Sequence, residues 1–182
     1  DNTDGDALKI TDDVNPSTGN TVWEMTTAGE RTMPLQPAFL ATHSAAQNDV
    51  TGNNTAVTVD FTTTIFDQNA DYDGTNTYTS PVTGRHQFNT SVRFDDLAAN
   101  STNGVIRIVT SNRSYQSSAG NYGALRQTTA DVNAITLSHA TITDMDAADT
   151  AFIQVLVGGM GADTVDLIGD VTSTYFSGGL LF

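Results

Sequence analysis

Between Arg85 and Phe94 the side chains change character at every step. His86, Phe88, Thr90, Val92 and Phe94 fall on one side of an extended backbone, and Arg85, Gln87, Asn89, Ser91 and Arg93 on the other. A period of two is the spacing of a strand with one dry and one wet face, and a helix would scatter these apolar positions around its circumference. The pattern recurs where Val57, Val59 and Phe61 alternate with Thr58, Asp60 and Thr62. Ile106 and Ile108 form another strand core after the turn formers Asn100-Ser101-Thr102-Asn103-Gly104. Ala151 to Val157 is apolar on both sides, which predicts a central strand covered on one side by the core and on the other by a neighbouring subunit. No segment carries an apolar period of 3.6, and Ala45 to Asp49 is expected to form at most one turn of helix. Many short strands separated by turn signals predict an all-β sandwich or barrel.

A chain of 182 residues is long enough for one buried core with a modest appendage. The alternation begins at about Pro37, which divides the sequence into residues 1–36 and residues 37–182. The first part holds two short strand candidates, Leu8-Lys9-Ile10 and Thr21-Val22-Trp23-Glu24-Met25, around the turn formers Asn15 to Asn20. Trp23 and Met25 are expected to pack against something, another copy of the chain included. Gly29, Pro34 and Pro37 mark the change of direction into the main domain.

Charge and residue types exclude several functions. The formal charge is −14, and all acids except Glu24 and Glu30 are Asp, the acid of turns and caps. Lys9 is the sole lysine, so the clustered cations that bind nucleic acid are missing. No apolar run approaches the ~18 residues that span a bilayer, so no membrane insertion is expected. Without cysteine there is no disulfide framework and no thiolate nucleophile.

Catalytic chemistry finds no footing. His43, His86 and His139 are far apart, and His86 falls on an apolar strand face, the place of a hydrogen-bonded core histidine. No Gly-x-Ser-x-Gly elbow or Gly-Lys phosphate loop occurs. The carboxylate pairs Asp12-Asp13, Asp95-Asp96 and Asp71/Asp73 are what 19 Asp residues produce by coincidence, so a glycosidase is a distant alternative. No catalytic residue, metal ligand or cofactor is therefore expected. Calcium is the one ion the sequence raises. Asp67-x-Asn69-x-Asp71-x-Asp73-Gly74 opens like an EF-hand loop, but Tyr72 and Tyr78 stand where that loop needs Gly and Glu. Gly158 to Asp166 fits the glycine-rich nonapeptide of calcium-binding β-rolls at its fixed positions, yet once only, where several stacked turns are needed. A plain glycine-rich loop is the expectation.

The longest weakly patterned stretch, Ser111 to Asn133, is expected to be a loop, and binding residues concentrate on loops. Arg113, Tyr115, Tyr122 and Arg126 within it are the candidate ligand-binding residues, since both types offer large contact area with a polar end. The alternative is that the tyrosines pack back onto the domain.

Three segments, in order, resemble one family. Phe66 to Gly84, with its Asn-x-Asp-Tyr-Asp-Gly turn, aromatic strand and Pro81-Val82-x-Gly84 turn, is similar to the centre of the C1q-like globular domain. Met145-Asp146-Ala147-Ala148-Asp149 stands where that family often has Leu-x-Ala-Gly-Asp, and Ser173 to Phe182 resembles its last strand. His86, Ala148 and Gly179 replace a usual aromatic, a glycine and a bulky aromatic, so neighbours should repair the packing there. The family's calcium ligands lie around the turn before the Val105 strand, which here holds Asn100 and Asn103, so that site is not carried over.

The resemblance implies a ten-stranded C1q/TNF-like jelly roll over residues 37–182 that assembles as a homotrimer and binds without catalysis. Residues 1–36, from Ala7-Leu8-Lys9-Ile10 to Met33-Pro34-Leu35-Gln36, are similar to the stalk-to-head junctions of phage and bacterial fibre proteins. Together they imply the binding head of a phage tail fibre or spike, on the virion surface or extracellular. Its expected partners are a host surface glycan or protein, and other virion or fibre proteins through residues 1–36. The rival readings are a structural or decorating virion protein that binds no host, and a secreted bacterial C1q-like adhesin.

Overall fold

The alternating stretch at 85–94 becomes the middle of one long strand, β9 (Gly84–Leu97), and His86, Phe88, Thr90, Val92 and Phe94 are all buried on its inner side. The structure, a computed structural model, describes residues 8–11, 21–120 and 132–181. All the regular elements among them are strands: β1 (Leu8–Thr11), β2 (Thr21–Met25), β3 (Arg31–Thr32), β4 (Ala38–Thr42), β5 (Gln47–Thr51), β6 (Ala56–Thr58), β7 (Thr63–Asp67) and β8 (Tyr78–Thr79), then β9, β10 (Asn103–Thr110), β11 (Ser114–Gly120), β12 (Val132–Met145), β13 (Thr150–Gly158), β14 (Val165–Leu167) and β15 (Tyr175–Leu180).

Strands β1 to β3 make a small antiparallel sheet of their own. The remaining strands form two sheets. One is ordered β11-β10-β13-β6 with β8 also on β13, and the other is ordered β5-β14-β9-β15-β4-β7 with β12 also on β9. All pairings are antiparallel, and strands neighbouring in space are mostly distant in sequence, as a jelly roll requires. The described strands of the two head sheets number twelve, because short pieces such as β5, β6 and β14 add to the long ones.

Side chains of both inner faces interdigitate in one core. Its centre is aromatic. Phe176 meets Phe39 edge-on at 4.9 Å between centroids and lies 5.7 Å from Phe88, 5.8 Å from Phe61 and 6.5 Å from Tyr72. Phe39 in turn stacks on Tyr72 and Tyr78, each at 5.1 Å. The run at 151–157 is a central strand: Ala151, Ile153, Val155 and Val157 point into this core, while Phe152, Gln154 and Leu156 are half-buried on the outer side.

Two local expectations are corrected. Ala45 to Asp49 forms no helical turn; Gln47 to Thr51 is strand β5, which pairs with β14. A few residues cannot offset the cost of nucleating a helix, whereas the Gln47 amide is held across the chain by the Asp60 N–H, which donates to Gln47 Oε1 at 2.9 Å. The hairpin that the two turn signals and short strand pieces of Phe66 to Phe88 predict is likewise not formed. Tyr78 and Thr79 pair with β13 in one sheet, and β9 belongs to the other, so the Pro81–Gly84 turn carries the chain across the sandwich. Local pairing in this stretch is the Tyr72–Tyr78 bridge.

The three departures from the C1q-like pattern have visible consequences. His86 keeps an aromatic environment, 6.2 Å from Phe88 and 5.8 Å from Tyr78, with Ser80 Oγ 3.2 Å from its Nε2. Gly179 leaves room for the Pro37 carbonyl, which would stand 2.6 Å from a Cβ there and which accepts the Leu180 N–H at 3.0 Å. Entry into β4 is thereby clamped against β15. Ala148 sits at φ 74, in the left-handed region that glycine adopts without strain. Ala148→Gly is expected to raise unfolding free energy by about 0.5–1 kcal/mol, the relief of left-handed strain minus the larger backbone entropy of glycine, measured by denaturant melts.

Candidate functional site

Two of the four candidate ligand-binding residues can be placed. Arg113 closes the tight turn between β10 and β11, where its N–H donates to Thr110 Oγ1 at 3.1 Å and its carbonyl accepts the Thr110 N–H at 2.9 Å. Its guanidinium pairs with Asp144 at 3.0 Å, and both groups are about half exposed, so the pair contributes at most about 1 kcal/mol. Asn112 ties the same turn to the 144–149 turn by donating to Asp149 Oδ2 at 2.8 Å and to the Asp144 carbonyl at 3.1 Å. Tyr115 is half-buried on β11, where burial raises its phenol above the ordinary value of 10.0 against the lowering by the Arg113 charge, with Asp144 adding a smaller rise. Tyr122 and Arg126 lie outside the described residues.

The long loop expected over Ser111 to Asn133 is corrected to a turn followed by a strand, since Ser114–Gly120 pairs along β10 and Val132 already belongs to β12. An edge strand needs little apolar alternation, which hid it. Registers also fix which end of the sandwich each candidate occupies. Ala38, Gly84, Met145 and the Ser111–Arg113 turn share the end where residues 31–37 join the head. Leu97, Asn103, Gly120, Val132 and Gly158 share the opposite end. Arg113 thus stands at the arm end, while the strands that flank residues 121–131 finish at the far end.

Carboxylates in both calcium-like stretches are engaged by the chain itself. Asp67 accepts the N–H groups of Asp71 and Tyr72 at 3.1 and 3.0 Å, and Asp73 Oδ1 accepts those of Thr75, Asn76 and Thr77. In the glycine-rich loop Asp163 accepts the Asn53 N–H at 2.8 Å and the Thr55 hydroxyl at 2.5 Å, and Asp166 accepts the Asp49 N–H at 2.7 Å. Asp73 and Asp163 are both held below the ordinary carboxylate value, Asp163 by these two donors and Asp73 by the three N–H groups, which outweigh its burial. Among the described residues no group of three or more His, Asp or Glu is arranged to hold a metal ion.

Burial depresses His86 below its ordinary value of 6.5, partly opposed by the Gly84 backbone, and burial depresses His139 likewise. A base whose folded pKa is lowered binds fewer protons folded than unfolded. Its contribution is complete above about pH 6.5 and is lost as pH falls from there towards the folded value. The melting temperature is therefore expected to drop between pH 7 and pH 5, and His86→Phe, which keeps an aromatic ring, is expected to reduce the drop. An identical pH profile in wild type and variant would refute this assignment.

The outward face of the β5-to-β12 sheet is a further feature of the described residues without a role. Pairing aligns Ala140, Asn89, Ser177, Leu40 and Phe66 in one cross-strand row, with Ser138, Ser91, Tyr175 and Thr42 in the next. Phe66 is 49% and Ile65 55% exposed, and Ile65 lines a shallow groove with Leu40, Tyr175 and the exposed Val171. These two rows contain no acid in a chain of net charge −14. One flank of the sandwich has a matching character. Strands β11 and β12 both end their sheets there, and residues 114–120 and 132–143 contain no Asp, Glu, Lys or Arg. Natural sheets commonly protect such edges with charge, proline or a covering element. On the other sheet, by contrast, Arg107 lies between Gln116 and Gln154 and donates to both at 3.2 and 3.0 Å, which puts a polar row across the outer face of β13.

No family model matches the chain, and no curated protein matches it. Solved structures do. The globular domain of zebrafish complement 1qA protein superposes with a TM-score of 0.55 at 15% identity, over 81% of this chain and 98% of that one. Murine APRIL superposes with a TM-score of 0.54 at 9% identity, over 80% of this chain and 99% of that one. At such identities the likeness is one of fold: the chain is a C1q/TNF-like jelly roll.

Proposed function

We propose that residues 37–182 are the non-enzymatic, homotrimeric binding head of a phage tail fibre or spike, displayed on the virion surface, and that residues 1–36 are the stalk or arm that joins it to other virion or fibre proteins. One observation carries the assembly: a face without acids on which Ile65 and Phe66 are exposed beside Leu40 and Tyr175, together with an uncharged β11/β12 edge elsewhere on the same chain. Monomers rarely leave such a face open, and a face and an edge at different places pair head to tail, which closes a ring when the rotation is threefold. The separate β1–β3 sheet supports the division near Pro37. The C1q and APRIL likenesses support a binding head. Light scattering is expected to give about 58 kDa, three copies of a 19.2 kDa chain, and a mass near 19.2 kDa would overturn the reading.

Host contact is assigned to a surface glycan or protein met by the far end of the head. An arm fixed to the particle turns that end outwards, and the strands bordering Tyr122 and Arg126 finish there. Arg113 and Tyr115 stand at the arm end, away from that contact. Purified head is expected to compete with particles for adsorption to host cells. Alanine at Tyr122 and Arg126 together should weaken that competition more than alanine at Arg113 and Tyr115. A correctly assembled head that does not compete at all would favour the decorating role.

A further inference from the structure

The arm sheet has two unlike faces. Antiparallel register pairs Ile10 with Trp23, Lys9 with Glu24, Glu24 with Thr32 and Met25 with Arg31. Paired residues share a side, so Ile10, Trp23, Met25 and Arg31 lie on one face, and Lys9, Val22, Glu24 and Thr32 on the other. The second face is satisfied within the chain. Lys9 and Glu24 stand 3.7 Å apart, and Val22 lines an apolar groove with Pro37, Val82 and Leu180 of the head. Among the described residues the first face is left open at its Ile10 edge, 54% exposed, while Trp23 and Met25 are half-buried. Three strands of four, five and two residues cannot hold themselves together without burying such a face.

Position and charge indicate what covers it. Arg31, on the open face, lines one groove with Phe66, Asn89 and Ser177, so the open face of the arm continues the outward face of the head sheet. The linker is fixed in that position, because Gln36 Nε2 donates to the Leu180 carbonyl at 2.8 Å and Gln68 Nε2 to the Met33 carbonyl at 2.6 Å. Copies that each carry −14 can meet only where acids are absent, and among its described residues the open face has none.

We infer that the occupant is the same face of the arm in neighbouring copies: the arms pack on one another through Ile10, Trp23 and Met25 as a second self-association element below the heads. This rests on the trimeric reading, which brings the arm roots together beside the contact face. Trp23 is the sole tryptophan, so its fluorescence reports the contact directly.

The experiment combines light scattering with acrylamide quenching of Trp23 in the full chain. A trimeric mass with a shielded Trp23 is expected, and Ile10→Asp should increase quenching several-fold while the heads keep the mass trimeric. Phe66→Asp, which separates the heads, should expose Trp23 as well. A trimer in which Trp23 is freely quenched before any substitution overturns the arm contact and leaves the trimeric head standing. Equal shielding in wild type and in monomeric Phe66→Asp also overturns it, because the cover would then lie within one chain. A monomeric wild type overturns both.

Discussion

Phe176→Ala is expected to cost about 3–5 kcal/mol of unfolding free energy, the usual range for truncating a buried phenylalanine. Phe176 is fully buried, and its ring touches those of Phe39, Phe61, Tyr72 and Phe88, so it joins β4 and β9 of one sheet to the crossing segment at 61–78. Removing it opens a cavity that these rings cannot close. Phe39 is already stacked between Tyr72 and Tyr78, and the Phe88 ring abuts the bare backbone of Gly178. Phe176→Leu, which keeps most of the volume, should cost less than half as much. Urea melts read both, and equal costs would mean that the shape of the ring, which leucine lacks, matters more at this position than apolar volume. The loss should leave Tm lower at every pH, unlike the histidine effect, which is confined to the acidic side.

The sequence made the central strands legible because they alternate against a core. His86 to Phe94 and Ala151 to Val157 lie where the period of two and the unbroken apolar run put them. Strands β5 and β11 escaped notice because Gln47-Asn48-Asp49 and Ser114 to Ser118 carry almost no apolar residues, and their order comes from partners far along the chain. Spacing alone was ambiguous at the carboxylates. Asp67, Asp71 and Asp73 are set at calcium-like intervals, yet Asp67 and Asp73 cap backbone N–H groups of their own turn, a role that interval alone does not distinguish. The outward face of the sheet that holds β4, β7 and β15 was invisible for a different reason. Leu40, Phe66, Ile142 and Tyr175 are scattered along the sequence and reach one sheet only through cross-strand register. The apolar composition of β13 likewise could not show that Arg107 and Gln116 lie beside Gln154 on the outer face.

Phe66→Asp is expected to convert the assembly to monomers of about 19 kDa without unfolding the head. Phe66 is half exposed in the single chain and lies outside the core, so the substitution removes little intrachain packing. In a closed ring, however, it places one carboxylate in every interface. An unpaired charge withdrawn from water there costs several kcal/mol per contact, and about 4 kcal/mol already weakens an association about a thousandfold. Gln154→Glu makes the opposite comparison. It adds the same charge to the outer face of β13, where Arg107 at 3.0 Å would take it up, and should leave the mass trimeric. Reversal of the two results would move the contact from the β4/β7/β15 face to β13, since each substitution charges only one of the two sheets. Circular dichroism on both variants keeps the outcome interpretable: a folded monomer for Phe66→Asp means that the face is what holds the copies together and that the sandwich itself does not need them.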